Sequence, residues 1–576
     1  MSFVIKYGKP YFFALLCAVA LLYGQATCDL TLPDYMSDIV NNGITTGNTS
    51  YIINVGVKMM GIALIGAICS VTVSLISSLI AAGLGRDLRR DVFAAVTAFS
   101  NAEFDHFTSS SLITRNTNDI TQIQMLTVMM IRFVIYAPIM GVGGILHALD
   151  KSRSMSWVIA LAVTVLLGLI LIVFSIALPR FKMIQKLIDR LNSVVRENLD
   201  GLLVIRAFNT QKFEEQRFDK VNSELTGVNL FINRTMAAMM PVMMLIMNLT
   251  TVLVVWIGAH RISAFQMDVG SMMAFMQYTM QIIMSFLMMS VMFIMIPRAA
   301  ISANRVAEAL NAVPSIRENP QPASIPHPVR GEVEFCNVSF RFSGAEEDVL
   351  QQISFTARPG QTTAIIGATG SGKSTLVTLL PRFYDVTDGQ ILIDGVDIRF
   401  WPLHELRRII GYVPQKSVLF SGTIRSNLAY GDPGADRDQL LWAADIAQAR
   451  GFVESKPDGL DDPIAQGGGN VSGGQRQRLS IARALAKNPS IYILDDSFSA
   501  LDFKTDSELR AALKQSQGHC TILLIAQRIS TVMGAEQIVV LDHGRVCGIG
   551  DHKHLMSHCQ VYQEIALSQL SEEELQ

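Results

Sequence analysis

The chain has 576 residues, half of them hydrophobic and only 17% charged, with 47 Lys+Arg against 49 Asp+Glu for a formal net charge of -2. That length asks for more than one domain, and the low charge excludes a disordered chain or a coiled coil and argues against a purely soluble enzyme. The balance gives no bulk attraction to nucleic acid, and seven cysteines scattered from Cys17 to Cys559 make no disulfide framework.

An apolar run must reach about 20 residues to cross a bilayer. Six runs of that kind precede residue 300, centred on Phe12–Thr27, Val55–Leu84, Met125–Ala148, Trp157–Leu178, Met236–Gly258 and Ser271–Ile296. Lys6 and Lys9 ahead of the first run also fit the shape of a signal peptide. Six retained spans are the expectation, and they place both chain ends on one side. The connection between the second and third runs carries Arg86, Arg89, Arg90 and Arg115. The one between the fourth and fifth carries Arg180, Lys182, Lys186, Arg190, Arg196, Arg206, Lys212, Arg217 and Lys220, whereas Pro33–Ser50 has no Lys or Arg. The positive-inside rule then makes the basic connections and both termini cytoplasmic, in a cell membrane. Lys151 and Arg153, in a short outer loop, run against the rule but are outnumbered.

The two basic connections carry helical periodicity on both sides of short polar segments, near Phe104–Asp119 and Val204–Phe218. Helices are therefore expected to continue below the membrane and turn at tips that could touch a cytoplasmic domain. Sixteen of the 28 methionines lie between Met236 and Met295. Methionine suits surfaces that accept varied apolar shapes, so these residues line a pliable cavity or fill helix surface. Arg132, inside the third run, costs about 2.5–3.5 kcal/mol at the bilayer centre and should face a wet interior or reach the interface. Asp29 and Asp34 are expected near the outer interface.

Five prolines between Pro314 and Pro328 prevent a helix from running through residues 313–330, which read as a linker. The expected division is a membrane domain over 1–312 and a second domain over 331–576. In the latter, Ala364-Ile365-Ile366 reads as a buried strand, followed by Gly367, Ala368, Thr369, Gly370, Ser371, Gly372, Lys373, Ser374 and Thr375 and then a helix. This is a phosphate-binding loop in its required context. Glycines let backbone N–H groups wrap phosphates, Lys373 reaches the β- and γ-phosphates, and Ser374 ligates Mg²⁺. Ile491 to Asp495 is a second apolar strand ending in a carboxylate placed for the magnesium shell.

Val471-Ser472-Gly473-Gly474-Gln475-Arg476-Gln477-Arg478 resembles the signature motif of ABC transporters. Phe342 is similar to the aromatic residue that stacks on adenine in that family. Gln415, in Val413-Pro414-Gln415, resembles the Q-loop glutamine, a metal-shell ligand. Ser499-Ala500-Leu501-Asp502 resembles the D-loop, whose Asp502 belongs with the hydrolytic residues. With six spans ahead of it, this motif set resembles an exporter-type half-transporter. The resemblance implies an all-α six-helix transmembrane domain with long cytoplasmic extensions, followed by an α/β P-loop nucleotide-binding domain using ATP and Mg²⁺. It also implies that two such domains pack head to tail, with ATP between one phosphate loop and the other subunit's Ser472, Gly473, Gly474 and Gln475 counterparts.

Two departures matter. Asp496 stands where the family has a catalytic Glu, one methylene short, and a shortfall near 1 Å can cost on the order of 10²-fold. Gln527 stands where the family has His and cannot carry a proton. Both fall on the chain's own phosphate-loop side, while its Ser-Gly-Gly-Gln is intact. The chain thus resembles the degenerate-site subunit of heterodimeric bacterial multidrug exporters. The expected function is ATP-driven export of amphipathic or hydrophobic compounds beside a different half-transporter carrying Glu and His. The alternatives are a homodimer with two slow sites, a lipid or peptide translocator, or a regulatory membrane ATP sensor or channel. The last would need a continuous polar lining that the apolar runs lack.

Overall fold

The computed structural model describes residues 7–516 and 518–570, without the side chains of Lys182, Ser290, Val291, Phe293, Ile294, Pro297 and Arg298. Lys6, counted above toward a signal peptide, lies outside the described residues. The chain divides into two compact units, Met1–Thr97 with Ser109–Ala312 and Ala98–Thr108 with Val313–Gln576.

The first unit is helical, and among the described residues six of its helices are long and apolar enough to cross a membrane. They are α1 (Phe12–Asp38), α2 (Thr49–Thr97), α4 (Ser109–Lys151), α5 (Ser156–Asp200), α6 (Gln211–Ser263) and α7 (Val269–Asn311), while α3 (Asn101–Phe107) belongs to the second unit. Helix is the form an apolar run must take where lipid offers no partner to a free N–H or C=O. The 49 residues of α2 and the 53 of α6 make rods of roughly 75–80 Å at 1.5 Å per residue, far longer than a hydrocarbon core of about 30 Å.

Burial follows helical spacing. Ala18, Leu22, Ala26 and Leu30 recur every fourth residue on α1 and are buried. The first two meet Val73 and Ile80 of α2. The last two join a cluster with Met140 of α4 and Phe275, Tyr278 and Ile282 of α7. Small residues permit that approach: a Cβ on Gly144 of α4 would stand 2.9 Å from the Ile282 side chain. The Tyr278 hydroxyl donates to the carbonyl of Leu30 at 2.8 Å.

Helix α4 is interrupted by two π turns, Arg115–Asp119 and Met130–Val134, each containing an arginine. Arg115 is buried and donates to the Arg305 carbonyl of α7 at 2.7 Å, with Glu308 at 2.8 Å. Asp119, also buried, accepts from Ser302 Oγ at 2.8 Å. Arg132 lies in the second π turn and is exposed. Lys151, the outer-loop cation that opposed the charge rule, pairs with Asp34 at 3.0 Å.

The first expected tip is shorter than its sequence suggested. The chain turns over residues 98–108, and Arg115–Asp119 is already part of the rising α4. A capping box at Ser100 and Glu103 starts α3. The Asp105 carboxylate accepts from Tyr384 at 3.0 Å, and Glu103 accepts from the Ser315 backbone at 3.0 Å, which ties α3 into the second unit. Burial, together with the Asp105 contact, pushes the Tyr384 phenol up to about 12.

The second unit holds a six-stranded sheet in the order Arg545–Gly550, Gln537–Asp542, Thr362–Gly367, Thr521–Ile525, Ile491–Asp495, Ile410–Val413. The last five strands run parallel. The central ones are near-continuous apolar runs because helices cover both faces. A four-stranded antiparallel sheet, with Val333–Phe340 pairing both Leu350–Ala357 and Asp388–Ile393, packs beside it through Phe335, Phe355, Ile391 and Trp401.

Arg115→Ala should lower the stability of the full chain by about 1–3 kcal/mol, because it strips a buried charged donor from the Arg305 carbonyl. Arg86→Ala, at an exposed ion pair, should cost less than about 1 kcal/mol. Thermal unfolding of the two purified variants checks the difference.

Candidate nucleotide site

Parallel strands end together, and the candidate residues sit on that edge. Thr362–Gly367 delivers the glycine loop, Ile491–Asp495 delivers the two aspartates, and Thr521–Ile525 delivers Gln527. The loop closes through Gly372, whose φ of +93° a side chain rarely adopts and whose added Cβ would stand 2.7 Å from Leu350. Helix α8 (Lys373–Leu379) begins there.

Lys373 is buried, and its ammonium donates to the carbonyls of Gly367 and Ala368 at 2.8 Å each. Burial pushes it below the usual lysine range, although Asp496 and Asp495 pull it back. Ala368, Thr369 and Gly370 are exposed at the mouth of the loop, whereas Ser371 is buried with a hydroxyl that has no partner. Thr375, in the first turn of α8, lends its carbonyl to Thr378.

Ser374 Oγ donates to Asp495 Oδ1 at 2.9 Å. Asp495 is 3% exposed, and burial, with Asp496 beside it, holds its carboxyl above the ordinary carboxylate range. This hard-oxygen pair, next to an orphan hydroxyl and an exposed glycine loop, fits Mg²⁺ and a polyphosphate. The ion, when bound, supplies charge neutralisation to phosphate oxygens.

Asp496 is 7% exposed and has a φ of +47°. Its Oδ2 accepts from Gln527 Nε2 at 2.9 Å and from Gln415 Nε2 at 3.3 Å. The structure thus brings together three residues separated by up to 112 positions, and Gln415 reaches Asp496 while Ser374 reaches Asp495. Phe342 is half-exposed and packs edge-on against Phe340 and Tyr384, with centroids 4.9 and 5.4 Å away.

The Ser-Gly-Gly-Gln run opens α9 (Gly473–Ala486). Ser472 and Gln475 form a reciprocal capping box: Gln475 N–H donates to Ser472 Oγ at 3.3 Å, and Ser472 N–H donates to Gln475 Oε1 at 2.9 Å. Ser472 and Gly473 are exposed, so this helix end faces outward from the chain. Asp502 caps α10 (Phe503–Ser516), accepting from the Thr505 backbone at 3.0 Å and hydroxyl at 2.8 Å, which lowers its carboxyl.

Sequence reading gave Gln477 no role. It is buried, donates to the Asp496 carbonyl at 3.2 Å and accepts from Ala500 N–H at 3.1 Å, so it links α9 to both the aspartate and the Ser499–Asp502 loop. Residues two apart on a helix do not share a face, so Gln475 at the helix end already implied a Gln477 pointing elsewhere.

Comparison with known proteins agrees. Residues 15–286 match the ABC transporter transmembrane region, and residues 350–499 match the ABC transporter domain. An ABC transporter ATP-binding protein of Mycobacterium tuberculosis is 41% identical over 574 residues, 99% of this chain and 98% of its own length. One of Bacillus subtilis is 36% identical over 573 residues, 100% of this chain and 99% of its own. An ATP-dependent lipid A-core flippase of Bordetella avium is 31% identical over 564 residues, 97% and 94% of the two chains. A bacterial Atm1-family ABC exporter with ATP bound shares the fold with a TM-score of 0.80 at 24% identity, over 96% of this chain and 98% of that one. The chain therefore belongs to the ABC transporters, with six membrane helices ahead of an ATP-binding domain. It is a multi-pass membrane protein and an ATP-hydrolysing transporter.

Asp495→Asn should raise the melting temperature of the nucleotide-free, Mg²⁺-free protein at pH 8. The folded state holds this carboxyl's pKa above its unfolded value, so the cost of burying its charge is present above the raised pKa and disappears as pH falls through it. The gain should shrink toward pH 5, as a pair of melting curves would register.

Proposed function

We propose that this chain is one half of a heterodimeric exporter of amphipathic or hydrophobic compounds, binding ATP at a weak site of its own and completing a stronger site on its partner. The observation that carries this reading is the Asp496–Gln527 contact at 2.9 Å. A general base must reach a water near the γ-phosphate. A short carboxylate held by an uncharged amide is poorly placed to do so and cannot pass the proton it takes on to that neighbour. The outward Ser472 cap, by contrast, has every feature of an anion site for a nucleotide held by another subunit. Lys373, Ser371 and the loop amides would hold this chain's own phosphates, Phe342 its adenine, and Ser374, Asp495 and Gln415 the Mg²⁺ shell.

A partner subunit also suits the second tip. Leu203, Val204 and Phe208, around the turn between α5 and α6, are 81%, 60% and 75% exposed, an apolar group that calls for cover. The basic connections support a reading in which both termini and the nucleotide domain are cytoplasmic. A lipid cargo is the second reading, favoured by the 31% identity to lipid A-core flippases.

The purified chain alone should show little ATPase activity, and co-expression with a half-transporter carrying Glu and His should restore it. Asp496→Glu with Gln527→His should raise the lone chain's turnover by up to about 10²-fold. In the heterodimer, Ser472→Ala should slow hydrolysis more than Asp496→Ala does. Fast turnover by the lone wild-type chain, or the reverse order of the two alanine variants, would overturn the assignment.

A further inference from the structure

We propose that Gln569, close to the C-terminal end of the second unit, is a positioning residue for the chain's own nucleotide site: its side-chain amide fastens the backbone on both sides of Arg528 and so sets where Gln527 can reach. The inference rests on the reading of that site in which Gln527 stands on the γ-phosphate side. Gln527 belongs to no regular element. The strand Thr521–Ile525 ends two residues before it, and α11 (Ile529–Val532) begins two residues after it. Arg528, the N-cap of α11, makes no side-chain cap, and a guanidinium has no acceptor to offer the first N–H groups of the helix. Gln569 supplies one. Its Oε1 accepts from the Ile529 N–H at 2.8 Å, and its Nε2 donates to the Gln527 carbonyl at 2.8 Å. The two contacts fix the orientation of the amide, since the N–H needs an acceptor and the carbonyl a donor. One side chain therefore splints the stretch from Gln527 to Ile529.

The splint has a firm base. It follows α12 (Gln560–Leu567), whose Tyr562 and Ala566 are fully buried in one cluster with Ile529 and Val532 of α11 and with Ala364 and Ile366 of the strand that delivers the glycine loop. Beyond α12 the Gln569 and Leu570 N–H groups both donate to the Ala566 carbonyl, at 3.1 and 3.0 Å. Gln569 itself is exposed, as are Gln527 and Arg528, so the amide adds no core packing. What it supplies is position. Gln527 Nε2 carries two hydrogens, and one goes to Asp496 Oδ2 at 2.9 Å. With the backbone beneath it held, only side-chain torsions remain to be ordered when the second hydrogen meets a γ-phosphate oxygen. Ordering a loose loop at the moment of binding would subtract from affinity. ADP has no γ-phosphate, so the splint acts on one nucleotide and not on the other.

The test uses the full chain in nanodiscs, without a partner, and two probes: Mg²⁺ with ADP, and Mg²⁺ with the non-hydrolysable ATP analogue AMP-PNP. Gln569→Ala should weaken AMP-PNP binding about fivefold, leave ADP within about twofold, and leave the unfolding temperature within about 2 °C. Gln527→Ala should lower the same AMP-PNP to ADP ratio, and the double variant should lose no more than Gln527→Ala alone, because both act through one contact. Gln569→Glu keeps the acceptor for Ile529 but loses the donor for Gln527, so it should behave as the alanine variant does. Equal weakening of both nucleotides would mean a structural role only and overturn the proposal. So would additive losses in the double variant, or wild-type discrimination in Gln569→Glu. A ratio lost in Gln527→Ala and kept in Gln569→Ala would overturn the splint and leave the reading of the site standing. A ratio kept in both would overturn the two together.

Discussion

The chemistry of this chain depends on neighbouring parallel strands ending at one edge. Thr362–Gly367 pairs with Thr521–Ile525, which pairs in turn with Ile491–Asp495. Parallel register makes the chain leave the sheet on the same side at the end of each strand. The glycine loop, the Asp495–Asp496 pair and Gln527 therefore meet although they are far apart in sequence. The sheet's central strands are largely apolar, with Ala364, Ile365, Ile366, Ile493 and Leu523 all fully buried, so the polar groups at its edge sit in a medium that strengthens each interaction. That setting displaces Lys373 and Asp495 in opposite directions, each toward its neutral form. A loop poised in this way favours polyphosphate and metal together, since each removes a charge penalty that the other alone would deepen.

Much of this was legible in residues because the nucleotide loop is local. Its function depends on a strand, a run of glycines and a helix that are contiguous, so spacing alone carries the geometry. The six membrane helices were legible for a similar reason: bilayer thickness fixes a length that composition reveals. Long-range contacts were not legible. Gln477 joins α9 to Asp496 and Ala500 by side-chain bonds to backbone, which leave no periodic trace. The place of α3 in the second unit rests on Asp105 meeting Tyr384, 279 positions away, and on Glu103 meeting Ser315. The π turns of α4 were hidden too, because one extra residue in a helix changes register without changing composition.

Polar residues in the membrane unit divide by whether their partners are built in. Arg115, Asp119 and Asp34 each have fixed counter-groups, and their role is to hold helices in register. Among the described residues, Asp29 and Gln281 differ from these: the Asp29 carboxylate meets the Tyr136 phenol, Gln281 Nε2 meets a peptide carbonyl, and Gln281 Oε1 has no donor. A bundle packed only for stability would place an apolar residue at such a position, because replacing an incompletely satisfied polar group by a shape-matched apolar one is nearly neutral or favourable.

The same reasoning applies at the nucleotide edge. Asp496 is held by two glutamine amides, a satisfied arrangement that stabilises the nucleotide-free state and gives the carboxylate no proton acceptor behind it. Among the described residues the Ser472 hydroxyl meets only its capping partner, Gln475, and the residue is exposed. In the proposed half-transporter, the Asp496 side is the slow site. The Ser472 cap, at an exposed helix N-terminus, is in that proposal the anion site offered to the partner's nucleotide. An asymmetry of that kind has a mechanical use. In the proposed heterodimer, a site that holds ATP without spending it would keep the two subunits joined while the opposite site opens and closes, so each cycle need not begin by finding the partner again.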